Sequence, residues 1–357
     1  MKVLQVNLNR SRLAQDMFLH SMAERGCGLG IAAEPNRVPR HPCWAGSEDG
    51  SVAITWRRIG DTHVHTSKIG GGEGWVAVKW GPLVVLGIYL RPSLSRYEYE
   101  DRLKSLEEWI RDCLPAPLMV AGDFNVKSAL WGSRRPDAKG GDLVEWATRL
   151  GLHLHNVGTT STCVRPQGES IIDLTWSSPA AARWVTSWRV AEELEILSDH
   201  LPIEVELRRD QSRRPDAGRP LRWAARKLDP DRLTAALVAA TWTREPGAGG
   251  IEEKAAWLRE TMTAACDAAM PRATFAARKA AYWWTEEIND LRKASVRARR
   301  ALQRERRRRT PSRNRLEELH EEYRERRAEI RLAIKKSRER VGRDAPLPGR
   351  GSVGAPL

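Results

Sequence analysis

No stretch of this 357-residue chain approaches the roughly 18 consecutive apolar residues that a membrane-crossing helix needs, and no charged segment leads into an apolar one near its start. Neither membrane insertion nor secretion is supported. Cysteine is scarce: the five, at 27, 43, 113, 163 and 266, are odd in number, widely spaced and form no CxxC or Cys/His cluster. This pattern argues for a reducing compartment and against structural zinc. There is no strict internal repeat, and the first part lacks net positive charge. Residues 1–207 carry 23 Lys and Arg against 25 Asp and Glu, so the whole of the +14 excess lies beyond them. A near-neutral domain followed by a basic arm suggests a polyanion partner such as nucleic acid.

What is present is enough to fold. With 41% hydrophobic residues and 15 Trp the chain can build at least one sizeable core, and its length suits two or three domains. Short apolar runs at 2–9, 29–34, 51–55, 74–81, 83–90, 118–125, 170–176 and 201–207 predict strands, with helices at 11–25, 95–113 and 140–150. "WGPL" (80–83) reads as a tight hairpin turn. Many strands with few helices predict an α/β fold, a two-sheet α/β sandwich, followed by a basic, mostly helical C-terminal extension.

Composition changes at "RRDQSRRPDAGRPLR", which makes 208–222 a linker after the domain at 1–207. The basic helical region then spans 223–343. Asp229 as cap and Pro230 in the first turn open a helix at 229–242, and Ile251, Ala255, Leu258 and Met262 share a face of another at 251–270. Three-and-four spacing recurs in Ile288, Leu291, Ala298 and Leu302, and again in Leu316, Leu319, Tyr323, Ile330 and Ile334. "TPS" (310–312) breaks the two runs and Ser312 can cap the second, which predicts a helical hairpin with arginine on its outer faces. The tail 344–357 is expected to be disordered.

The strand at 118–125 breaks into "GDFN", where side chains two apart on an extended chain, Asp123 and Asn125, would leave the core together. Other strand ends supply Asn7 and Asn9, Glu34, Tyr89, Asp173, and Asp199 with His200. Singly each has a bland explanation: Asp and Asn at strand ends are common turn formers, and Tyr89 between Ile88 and Leu90 can simply pack. Jointly they do not, because Asp173 and Asp199 near buried strand ends need a cation or donors to pair with. Oxygen ligands of this kind suit Mg²⁺, and Glu34, Asn9 and Asp199 would hold it. His63, His65, His153 and His155 have no third ligand motif and are expected to be structural.

In order, "QVNLNR", "AEPNRVP", "YLRPS", "GDFNVKSALWGS", "SIIDLTW" and "SDHLPI" resemble the endonuclease/exonuclease/phosphatase superfamily, and within it the endonuclease domain of arthropod-type non-LTR (LINE-like) retrotransposons. The resemblance covers 1–207. Beyond it, "YWWTEEINDLRKASVRARRAL" and "EEYRERRAEIRLAIKKSRERV" look like the basic helices preceding the reverse transcriptase in such elements. Nothing in 344–357 could hold that enzyme's paired-aspartate motif, so a truncated element product is expected.

The resemblance implies a Mg²⁺-dependent DNA endonuclease, Mn²⁺ able to substitute, that nicks one strand and leaves a 3′-hydroxyl. Asp123 would orient and deprotonate water, with Asn125 helping to position it. His200 would act as base or, protonated, stabilise the transition state, held by Asp173. Asn7 and Tyr89 would donate to the scissile phosphate. The setting implied is intracellular and nuclear, with element RNA a further partner for the basic helices. Asn9 stands where abasic endonucleases carry Asp, and no "WCDR"-like motif is present, which disfavour the abasic-site and phosphatase branches. The rival from another class is an inactive relic that binds nucleic acid through 208–343.

Overall fold

The structure, a computed structural model, describes residues 1–59, 64–208, 223, 227–243, 250–271 and 281–344, the last four as backbone. The expected linker from 209 to 222, the tail beyond 344 and His63 lie outside the described residues. In chain order the elements are β1 (Lys2–Asn7), α1 (Arg12–Glu24), β2 (Leu29–Ala33), β3 (Trp44–Gly46), β4 (Val52–Trp56), β5 (Thr66–Gly72), β6 (Trp75–Trp80), β7 (Leu83–Tyr89), α2 (Arg96–Cys113) and β8 (Leu118–Asp123). Then come α3 (Ala138–Arg149), β9 (His153–Leu154), β10 (Cys163–Arg165), β11 (Gly168–Ser170), β12 (Asp173–Ser177), α4 (Pro179–Ala182), β13 (Val185–Val190) and β14 (Ile203–Leu207). The helices α5 (Pro230–Thr243), α6 (Ile251–Ala269), α7 (Glu286–Arg306) and α8 (Arg313–Asp344) complete the order.

Two six-stranded sheets, ordered β13-β14-β1-β2-β4-β3 and β5-β6-β7-β8-β12-β9, face each other as the sandwich that the sequence predicts. Each contains one parallel pair, β1 with β2 and β7 with β8, and each pair is joined by a crossover helix, α1 or α2. Alternation along β1 sends Val3 into the core between the sheets and Leu4 and Val6 to the outer face. The inner core also holds Ile31, Ile54, Val78, Val85 and Met119. α2 and α3 cover the outer face of the second sheet through Leu103, Leu106, Ile110, Leu143 and Trp146.

The outer face of the first sheet is covered by α1 and by the α7–α8 hairpin, whose Ile288, Ile330 and Ile334 join Leu4, Val6, Phe18 and Met22 in one buried cluster. The hairpin therefore groups with the sandwich: Met1–Arg209 with Arg278–Leu357 form one compact unit, and Asp210–Ala277 another. Ser312 caps α8 through Arg315 N (3.4 Å), as its sequence suggests. The expectation that arginine lies on the hairpin's outer faces needs correction at two positions. Arg292 and Arg299 are buried, drawn inward by Glu24 and Glu195.

Within the second unit α5 and α6 pair, and Asp229 caps α5 by accepting from Asp231 N and Arg232 N, both at 3.1 Å. The face of α6 bearing Ile251, Leu258 and Met262 is exposed, and burial falls instead on Thr261, Ala265 and Ala269.

Candidate active site

The four strands of the two parallel pairs end in polar residues: Asn7 closes β1, Glu34 follows β2, Tyr89 closes β7 and Asp123 closes β8. Carboxyl ends of parallel strands are where α/β folds place chemistry. Two features bring the ends of both sheets together. Buried Gln5, one pleat repeat before Asn7, donates across the sandwich to Gly122 O (3.1 Å) and Leu174 O (3.2 Å) and accepts from Thr175 Oγ1 (3.0 Å). Gly122 lies so close to β7 that a Cβ there would sit 1.9 Å from Ile88 O, so glycine alone lets β8 deliver Asp123 opposite Tyr89.

Asn7 is the hub. Its Nδ2 donates to Asp123 Oδ2 (2.9 Å) and to Glu34 Oε2 (3.1 Å), while its Oδ1 accepts from Asn9 N (2.7 Å). The Tyr89 hydroxyl lies near Glu34; burial, then the Glu34 charge, push its pKa up. Asp199 Oδ1 accepts from Asn9 Nδ2 (3.2 Å), and its Oδ2 accepts from Arg165 Nε (2.6 Å). His200 Nδ1 lies 2.8 Å from Asp173 Oδ2, which fixes the ring, and Nε2 lies 3.4 Å from an Arg165 nitrogen.

Asn125 is placed differently from its expectation. β8 ends at Asp123, and Asn125 turns into the left-handed region (φ 52°), so the strand alternation that would align their side chains stops there. Asn125 instead donates its backbone N–H to Asp123 Oδ1 (3.0 Å) and its amide to Leu90 O (3.0 Å), bracing the carboxylate and the end of β7. Asn9, Glu34 and Leu197 also adopt positive φ, at 46°, 43° and 64°. Such backbone is uncommon outside glycine and clusters at functional sites.

The electrostatics are unfinished. Asp123 and Asp173 face each other across the β8–β12 ladder, both fully buried. Burial, then the Asp173 charge, raises the Asp123 pKa well above the usual carboxylate range. Burial opposes a charge on His200, but the Asp173 carboxylate outweighs it and raises the histidine, favouring imidazolium. At Asp199 burial is likewise outweighed, by His200 and Arg165, and the carboxyl is lowered. Among the described residues, Asp173 Oδ1 is buried with no hydrogen-bond partner. A buried region short of positive charge, lined by carboxylate and amide oxygens, fits a hard divalent cation. Among the described residues, ligand atoms of Asp123, Asp173 and His200, and of Cys163, Asp199 and His200, converge within 4.8 Å; Glu34 belongs to neither group.

Arg165 had no sequence signal: "CVR" and "GES" form a three-residue hairpin, β10 and β11, too short for periodicity. Ser198 was also missed; its Oγ donates to Asn7 O (2.7 Å) and so ties the loop before β14 to the end of β1. Of the other histidines, His155 bonds Ser177 Oγ (2.7 Å), and His65 and His153 are exposed.

Fold and site together resemble those of nuclease-type domains of the endonuclease/exonuclease/phosphatase superfamily. The family model described as endonuclease-reverse transcriptase matches residues 83–204. The endonuclease domain of TRAS1, a telomere-specific non-LTR retrotransposon, is similar at 26% identity and a TM-score of 0.50, with 58% of this chain and 99% of that one covered. A 3′ phosphatase from Neisseria, NExo, bound to a product DNA hairpin is similar at 19% identity and a TM-score of 0.46, with the same 58% and 99% covered. No curated protein matches the chain. Residues 83–204 thus match an endonuclease-reverse transcriptase model, on a sandwich similar to a retrotransposon endonuclease domain. No described helix is long and apolar enough to cross a membrane.

Proposed function

We propose that this chain is a Mg²⁺-dependent endonuclease that nicks one strand of DNA and leaves a 3′-hydroxyl, the end from which a retrotransposon primes copying. The observation carrying this is the Asn7 amide, which bonds Glu34 and Asp123 at once where the parallel strands of both sheets end. Glu34, with Asn9 and Asp199, would hold the divalent ion, whose chemistry is to neutralise charge on the phosphate and on the leaving oxygen.

The chain's own groups divide the remaining work. Asp123, its pKa raised toward neutrality by burial and Asp173, takes a proton from the attacking water. Asn125 holds Asp123 through its backbone N–H. His200, kept protonated by Asp173, stabilises negative charge on the phosphorane-like transition state, which favours that role over a base. Once the phosphate enters, Asn7 turns one of its two amide hydrogens from a carboxylate to a non-bridging oxygen, and Tyr89 donates its hydroxyl likewise. The water oxygen bonds phosphorus as the phosphorus–3′-oxygen bond breaks; the 3′-oxygen leaves with that electron pair and takes a proton from solvent to become the 3′-hydroxyl, and the phosphate remains on the 5′ end of the downstream strand.

The test incubates the whole chain with supercoiled plasmid and Mg²⁺ or Mn²⁺, then repeats it with EDTA and with His200→Ala. Relaxed circles that need both metal and His200, and that a DNA polymerase extends from the nick, are expected. No nicking by the folded chain with either ion would overturn the proposal.

A further inference from the structure

Beside the candidate site a cleft of about 500 Å³ opens between the β10–β11 hairpin and α8. It shares Asn9, Arg165 and Asp199 with the candidate site, and α8 supplies Arg324, Arg327 and Arg331 to its far wall. Asp199 is the sole acid among four lining arginines, and Arg165 already neutralises it. Arg324 pairs with Glu321 (2.6 Å) at the surface, an exposed pair weak enough to yield to a phosphate, and Arg327 leans toward buried Glu195 (3.8 Å), whereas Arg331 makes no ion pair or hydrogen bond among the described residues. Burial, then the neighbouring Arg327 charge, lower the Arg331 pKa, the mark of a cation short of an anion.

The walls are held in place. Arg306 near the end of α7 donates to the backbone oxygens of Arg165 (2.9 Å) and Pro166 (3.3 Å) and pairs with Glu169 (3.5 Å). On the other side Tyr323 donates to Glu195 (2.8 Å), which anchors α8 to the loop carrying Asp199. A cleft with fixed walls, spare guanidinium charge and a border on the phosphate-handling residues matches a nucleic-acid backbone.

We propose that this cleft is a phosphate-binding subsite for the DNA strand flanking the nick, with Arg324 and Arg331 as its phosphate ligands, so that α8 forms part of the nuclease's substrate surface. This rests on the nuclease proposal for the identity of the strand, but its readout is binding and not cleavage.

The experiment measures affinity of the whole chain for duplex DNA in EDTA, where no metal-dependent cutting occurs, as a function of salt. Arg324→Gln with Arg331→Gln is compared with Arg313→Gln with Arg315→Gln, which removes equal charge from exposed positions about 14–27 Å away along the helix axis. All four arginines are exposed, and thermal unfolding checks that both variants fold. The cleft variant is expected to lower the slope of log affinity against log salt by about 1.8, from two lost phosphate contacts, and to weaken binding by on the order of tenfold near physiological salt. The control should leave the slope unchanged. Equal slopes for wild type and cleft variant, or equal losses in both variants, would overturn the subsite. A wild-type chain that binds with the predicted slopes but never nicks would overturn the nuclease proposal alone.

Discussion

Two buried carboxylate clusters draw on the two ends of the segment 195–200, one through Glu195 and one through His200, and they are completed in opposite ways. Among the described residues, Asp173 pairs with the His200 imidazole while Asp123 beside it has no cation of its own, and one Asp173 oxygen has no partner. Glu195, equally buried, accepts from Leu197 N (2.7 Å), Tyr323 OH (2.8 Å), Arg299 (3.2 Å) and Ser295 Oγ (3.3 Å), with Arg327 at 3.8 Å. Burial raises the carboxyl pKa in both places. At Asp123 a second carboxylate adds to the rise, whereas at Glu195 Arg327 and Arg299 overcome it and lower the pKa. A fully satisfied cluster is a fastening; an under-neutralised one is poised to take a cation and a proton.

The contrast predicts opposite outcomes for charge removal. Asp123→Asn should reduce nicking by about a hundred- to ten-thousand-fold, the usual worth of a general base, in single-turnover assays. Glu195→Ala should spare the catalytic groups but cost about 3–5 kcal/mol in urea unfolding followed by Trp fluorescence, because Arg299 is left buried without its carboxylate. Gly122→Ala sharpens the same comparison sterically. Its Cβ meets backbone, so it should cost about 1–3 kcal/mol, read in the same unfolding assay, and displace Asp123 enough to reduce nicking as well.

The smallest effect is in pH. Because the Glu195 pKa is depressed on folding, its stabilisation is complete above the ordinary glutamate value of about 4.3 and is lost as pH falls through the lower folded value. Urea midpoints of wild type and Glu195→Gln should therefore converge as pH drops below about 4.3. A gap that persists or widens there would mean that Glu195 does not act as an anion.

The sandwich and the convergence of its polar strand ends were legible because strand periodicity and order along the chain encode them. Asn7, Glu34, Tyr89 and Asp123 each terminate an apolar run, and two βαβ crossovers put those termini at one end. Arg165 was not legible, since a three-residue strand has no pattern. Nor was the inward turn of Arg292 and Arg299. An arginine on a helix defaults to solvent unless a carboxylate distant in sequence is buried against it, and Glu24 and Glu195 lie more than a hundred residues from their partners at 292 and 299. The Asn125 orientation escaped because it depends on where β8 stops, and end positions of strands are set by tertiary contacts such as that between Gly122 and Ile88.

The most direct test measures nicking and the urea midpoint together on Asp123→Asn in the whole chain. The account predicts loss of nicking with an unchanged or raised midpoint, since a like charge facing Asp173 is removed. A clearly lowered midpoint, corresponding to a stability loss of about 3 kcal/mol or more, or retained nicking, would contradict it by making Asp123 a structural charge like Glu195.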